Sequence, residues 1–243
     1  GTSDAGFMPD PYTGLAWPWR AESAVIVAKE GLPISKSMDW VTLSFEPEIT
    51  VPADAWYDWD AVNGKWITVG EAFTTTQTAN TKGTVTYPAD LWTSVTWHDG
   101  SPITMGDFIM SMILPFDRAK PESALYDEAQ ASNLEAFFGH FKGVVIESTD
   151  PLVITTYDDL WYLDAELIPT SWWPQYGYGT AGWHNIVPGV KAEAAGQLAF
   201  SADKADANAV EWMSFVAGPS IEILYTQLMT ATGETYIPYA NVM

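Results

Sequence analysis

The residues whose types could do chemistry fall in three places. His98 and Asp99 set an imidazole beside a carboxylate, the pairing a general base and its orienting acid would need. Adjacent residues of an extended chain point to opposite faces, and no serine or cysteine nucleophile pattern accompanies them, so the expected role of the pair is to shape a turn. His140 and His184 lie far away in sequence and lack a metal-ligand spacing such as HxxxH. In the second place, Asp54, Asp58 and Asp60 precede Gly64 as the acids of a calcium loop would. Val62 stands at the third ligand position of an EF-hand and the glycine comes one residue late, which leaves a solvated hairpin rim, with an irregular calcium loop as the alternative. No phosphate-cradling glycine motif and no nucleophile elbow is present.

The third place is aromatic: Trp172-Trp173-Pro174-Gln175-Tyr176-Gly177-Tyr178, with Trp183 and His184 close behind. Large rings on a Gly/Pro-rich loop bury much area at little side-chain entropy cost, so Trp172, Trp173, Tyr176 and Tyr178 are the candidate ligand-binding residues. The same rings could plug the domain's own core or dock on a neighbouring domain, because thirteen tryptophans in one chain cannot all be ligand platforms. No catalytic residue, cofactor or metal ligand is expected.

The elements that must position these residues follow from periodicity and turn chemistry. Ala24 to Lys29 and Val41 to Phe45 read as strands, and Trp56 to Asp60 with Trp66 to Val69 as a pair joined across Asn63-Gly64. Thr74 to Gly83 is polar and reads as a loop, followed by short strands at Val85 to Tyr87 and Val95 to Trp97. Asp99-Gly100 and Pro102 break the chain, and Thr104 starts a helix with Asp107 placed to answer its amide. Phe108, Ile109, Met112, Ile113 and Phe116 then form one apolar face. Glu122 to Phe141 reads as a second helical region, and Val144 to Glu147 with Leu152 to Tyr157 as a hairpin. Asp203 to Ala217 and Pro219 to Thr232 read as two helices separated at Gly218. Strands and helices mix without regular alternation, which predicts an α+β protein, an irregular α/β lobe rather than a doubly wound sheet. Residues 1–190 form its mixed strand and helix part, and residues 191–243 a helical extension packed on the same domain.

Composition narrows the function classes. The chain has 243 residues, 47% hydrophobic, with ten Lys and Arg against thirty-one Asp and Glu, a net charge of -21. That balance repels phosphate backbones and anionic headgroups, so nucleic acid and membrane-surface partners are not expected, while cations and cationic peptides are attracted. The absence of cysteine excludes disulfides and thiolate chemistry. No run of about 18 strongly apolar residues reads as a membrane span. The opening GTSDAGFMPDP has neither a basic n-region nor an apolar h-region, as in a cytosolic protein or an exported one whose leader has been removed.

The string from Trp97 to Phe108 resembles the signature of the family 5 extracellular solute-binding proteins, the dipeptide, oligopeptide and nickel receptors of ABC importers. Trp97, His98, Asp99, Gly100, Pro102, Thr104 and Asp107 match the family pattern, while Gly106 stands where alanine is common. Phe141-Lys142-Gly143-Val144 with Thr149-Asp150-Pro151-Leu152-Val153-Ile154 looks like the family's following hairpin, and Trp172-Trp173-Pro174 occupies the place of its proline segment. The resemblance implies part of the N-terminal lobe of a type II periplasmic-binding-protein fold. It also implies a monomeric, non-enzymatic receptor, periplasmic or extracellular and cell-surface associated. Such a receptor captures a peptide or other small solute non-covalently and delivers it to ABC permease subunits in the membrane. Family members run to about twice this length or more, beyond one ordinary domain, so an incomplete chain is expected. A carbohydrate-binding module or glycoside hydrolase, using the many aromatic rings and paired carboxylates, is the alternative.

Overall fold

The computed structural model describes residues 5–170 and 181–242. Its centre is a seven-stranded mixed sheet in the order Val41–Glu46, Ser23–Lys29, Thr81–Thr86, Leu152–Asp158, Phe141–Thr149, Trp56–Asp60, Lys65–Thr68. Only Ser23–Lys29 and Val41–Glu46 run parallel, and every other neighbouring pair is antiparallel. With the helices described below, the protein is α+β, as the irregular order of elements predicts.

The strands expected at residues 24–29 and 41–45, the pair across Asn63-Gly64 and the hairpin expected over residues 144–157 all form. The polar stretch from Thr74 to Gly83 is not a loop throughout. Thr78–Ala79 pairs with Ile49–Thr50, and Thr81–Thr86 is the third strand of the large sheet. Its threonines are β-branched and suit a strand, and their polarity is absorbed inside the sheet. The Thr84 and Thr155 hydroxyls meet at 2.9 Å, and the buried Thr81 hydroxyl donates to the Asp158 and Leu160 carbonyls.

The helix Met105–Asp117 lies against the sheet through Phe108, Ile109, Met112, Ile113 and Phe116, the face anticipated from spacing. Met110 and Leu114, on its other side, are also fully buried, against Leu125, Ile186 and Val190. A helix buried on two faces is an inner layer. Here it separates the sheet from an outer pair of helices, Trp183–Ala194 and Ser220–Glu234. The Trp183 helix runs across residue 190 without a break.

Several helical expectations shorten. The second helical region spans only Glu128–Phe138, capped by Asp127, and Phe141 begins a strand. Val95 to Trp97 is not a strand but part of a tight loop, with a single bridge between Thr96 and Pro102. The helix expected from Asp203 to Ala217 is Ala202–Asn208, ended at Ala209 by a left-handed φ of 52°. Beyond it, Glu211–Trp212 pairs in parallel with Leu198–Ala199, which brings Met213 and Phe215 onto the Trp183 helix.

A buried ionic cluster joins the layers. Arg118, at the end of the Met105 helix, pairs with Asp127 at 2.9 Å and faces Glu193 at 4.0 Å, and Lys204 reaches Glu193 at 3.2 Å. Two cations and two carboxylates balance, so the cluster itself carries no net charge. Burial pushes the Glu193 carboxyl up, while Lys204 and Arg118 draw it back down. The Arg118 guanidinium also lies 5.3 Å from the Phe200 ring centroid. Replacing Arg118 with Met would leave Asp127 buried without its cation. The expected loss is about 3–5 kcal/mol, read as a lower urea midpoint at unchanged slope.

Candidate functional site

The turn with the His-Asp pair sits where the inner helix meets the outer one. Trp97 is buried, its amide bonded to the Ser101 carbonyl at 2.8 Å, and Gly100 completes the turn at a φ of 87°, a region open to glycine. Asp99 Oδ1 accepts from the Ser101 amide at 2.9 Å and from its hydroxyl at 2.6 Å. The turn-shaping role expected of Asp99 is therefore met, and His98 is exposed.

Asp107 does more than spacing suggests. Its Oδ2 accepts from the Thr104 amide at 2.8 Å, completing the anticipated capping box. Its Oδ1 accepts from the Trp183 amide at 2.8 Å, the first residue of the outer helix, so one buried carboxylate caps two helices. The Trp97 indole also faces this carboxylate and favours its charged form. Burial pushes the Asp107 carboxyl up, and these donors pull it back. Gly106 has a local reason. A Cβ there would lie 3.2 Å from Trp183 Cδ1 and 3.3 Å from its Nε1, tighter than ordinary contact.

The fold brings together what the sequence separates. His184 Nε2 lies 3.1 Å from Asp99 Oδ2, 3.2 Å from Ser101 Oγ and 3.1 Å from Asn185 Nδ2. Serine, histidine and aspartate thus meet, but not as a nucleophilic triad. A triad places the carboxylate on one ring nitrogen and the serine on the other, whereas here both address Nε2. The Ser101 hydroxyl donates to Asp99, so its proton is committed to a carboxylate of low basicity. His140 likewise ends on a carboxylate, with Nδ1 2.8 Å from Asp158 Oδ1. Neither pairing has a sequence signal, since each partner is supplied by a different element.

Beside the His184 cluster opens a groove of about 760 Å³ between the Trp183 and Ser220 helices. Phe200, Met213, Phe215, Leu224, Tyr225 and Leu228 supply its apolar walls, and His98, Asp99, His184 and Asn185 its polar end. Tyr225 is 64% exposed and Val216 90%, so the groove is open to solvent. Its floor is built by a missing side chain. A Cβ on Gly189 would lie 2.7 Å from Met213 Sδ and 2.9 Å from Cζ of both Phe200 and Phe215. Glycine inside a helix costs about 1 kcal/mol relative to alanine, and here it lets three side chains close onto the helix.

The acidic run is otherwise engaged. Asp60 binds the Val62 and Asn63 amides of its own turn, and Asp58 pairs with Lys120 at 2.7 Å. Among the described residues, no group of three or more His, Cys, Asp or Glu is placed to hold a metal ion, and no helix is long and apolar enough to cross a membrane. Trp172, Trp173, Tyr176 and Tyr178 lie outside the described residues. Comparison of the chain with protein-family models and with curated proteins finds no match.

Hydrogen bonds from Ser101, first the hydroxyl and then the amide, hold the Asp99 carboxyl well below the usual carboxylate range, with His184 adding to them. A folded-state value below the unfolded one gives stability that is complete above the unfolded pKa and lost as pH falls. The stability gap between the native protein and Asp99→Asn should be constant above about pH 5 and close progressively below about pH 4, measured by urea midpoints across pH.

Proposed function

We propose that this protein is a non-enzymatic solute-capturing component of an ABC-type importer, taking oligopeptides or dipeptides by non-covalent contact. On this reading it is a lobe of the type II periplasmic-binding-protein kind, works outside the cytoplasmic membrane, and passes its ligand to permease subunits. The observation that carries the reading is the groove. Its volume lies in the range of small-ligand sites, its walls are apolar and tolerant of side-chain identity, and its polar groups gather at one end, as orientation of a bound solute requires.

The residues around it support capture over hydrolysis. Among the described residues Asp99 is the one carboxylate lining the groove, whereas a glycosidase sets two across its substrate. The Ser101 hydroxyl gives its hydrogen to that carboxylate and not to a base. The motif that resembles the solute-binding family is spent on helix capping and turn formation, so it supports a scaffold rather than a reaction. An open groove leaves one side of a ligand in water, which limits affinity.

Titration calorimetry with a panel of tripeptides should give dissociation constants of about 0.01–1 mM, with the peptides recovered intact. Absence of any heat at millimolar peptide, or cleavage of the peptides, would contradict the proposal. Binding or hydrolysis of a glycan panel in place of peptides would favour the carbohydrate alternative.

A further inference from the structure

Among the described residues that line the groove there is no lysine or arginine, and the one carboxylate is Asp99. From residue 205 onward the sequence has no basic residue, while Asp206, Glu211, Glu222 and Glu234 are acidic. Glu234 is answered by Lys191 at 2.6 Å. Glu222 lies in the first turn of the Ser220 helix, beside the groove residue Ile221. Apolar walls of low dielectric concentrate the field of a carboxylate at their end, and the faces of aromatic rings attract cations further. Phe215 and Tyr225 supply such rings.

We propose that this groove selects an apolar organic cation, with an alkyl or aryl body among Met213, Phe215, Leu224 and Leu228 and an ammonium group beside Asp99. The inference rests on the capture reading in using the same groove, and it adds the charge of the ligand. Two features argue that the groove is built and not a chance gap. Gly189 is held inside a helix where a Cβ would collide with Met213, Phe200 and Phe215, and the Trp97 turn is fastened to the Trp183 helix so that Asp99 stands at the groove's end. An anionic ligand would meet the Asp99 carboxylate with only the His98 and His184 imidazoles, and no lysine or arginine among the described lining residues, beside it. A second copy of the chain, itself carrying a net charge of -21, would repel the first.

Three matched probes isolate the charge: 4-phenylbutylamine, 4-phenylbutan-1-ol and 4-phenylbutyrate, titrated by calorimetry at low and high salt. The amine should bind at least about tenfold tighter than the alcohol, the carboxylate weakest, and high salt should narrow the gap. Asp99→Asn should bring the amine to the level of the alcohol. Glu222→Lys, at an exposed position beside the groove and outside its walls, should weaken the amine and not the alcohol. Equal binding of amine and alcohol, or a gap that survives both substitutions, would overturn the proposal.

Trileucine amide and its N-acetyl form separate this inference from peptide capture. If the phenylbutyl series behaves as expected and trileucine amide does not bind, the cation site stands and peptide capture falls. If acetylated and free trileucine amide bind alike, capture stands and the cation preference falls.

Discussion

One buried carboxylate sets the arrangement of the outer layer. Asp107 is removed from water, a placement that would be costly for a lone anion, and it is tolerated because backbone amides from Thr104 and Trp183 point at its two oxygens. Those amides begin two different helices, so the carboxylate fixes where the outer helix starts relative to the inner one. The Trp97 indole and the missing Cβ atoms at Gly106 and Gly182 close the space around it. A Cβ at Gly182 would stand 2.7 Å from Trp97 Nε1, so the approach of turn and helix depends on glycine there.

At the opposite end of the same helix the ionic cluster fixes the second point. Glu193 lies in the last turn of the Trp183 helix, and Arg118 and Lys204 reach it from separate segments. An outer helix held at both ends by buried polar contacts can support a side wall that is itself poorly buried. The Ser220 helix is that wall, with only Ser220, Leu224 and Ala231 fully buried. The groove is therefore a consequence of polar fastening below it, and its exposed apolar side chains need no packing of their own to stay in place.

What was legible in the sequence was local. The capping box at Thr104 and Asp107 spans three residues, the hairpin of residues 141–158 turns on a short polar stretch, and the apolar face from Phe108 to Phe116 repeats with the helical period. What was not legible depended on distant partners. Thr81–Thr86 looks like a loop until Ser23–Lys29 and Leu152–Asp158 flank it. Met110 and Leu114 read as incidental until Ile186 and Val190 cover them. The break at Ala209 follows from pairing of Glu211–Trp212 with Leu198–Ala199, which no helical period announces. The site divided in the same way: Asp99 was readable as a turn residue, while its contact with His184 spans 85 positions of sequence.

Hydrogen exchange on Asp107→Ala tests most directly whether one carboxylate positions the outer layer. Loss of two caps at about 0.5–2 kcal/mol each should raise exchange by roughly tenfold or more in residues 183–194 and 220–234. The central strands Thr81–Thr86 and Leu152–Asp158 should stay protected. Unchanged protection in both outer helices, or an equal loss across the whole protein, would contradict the account.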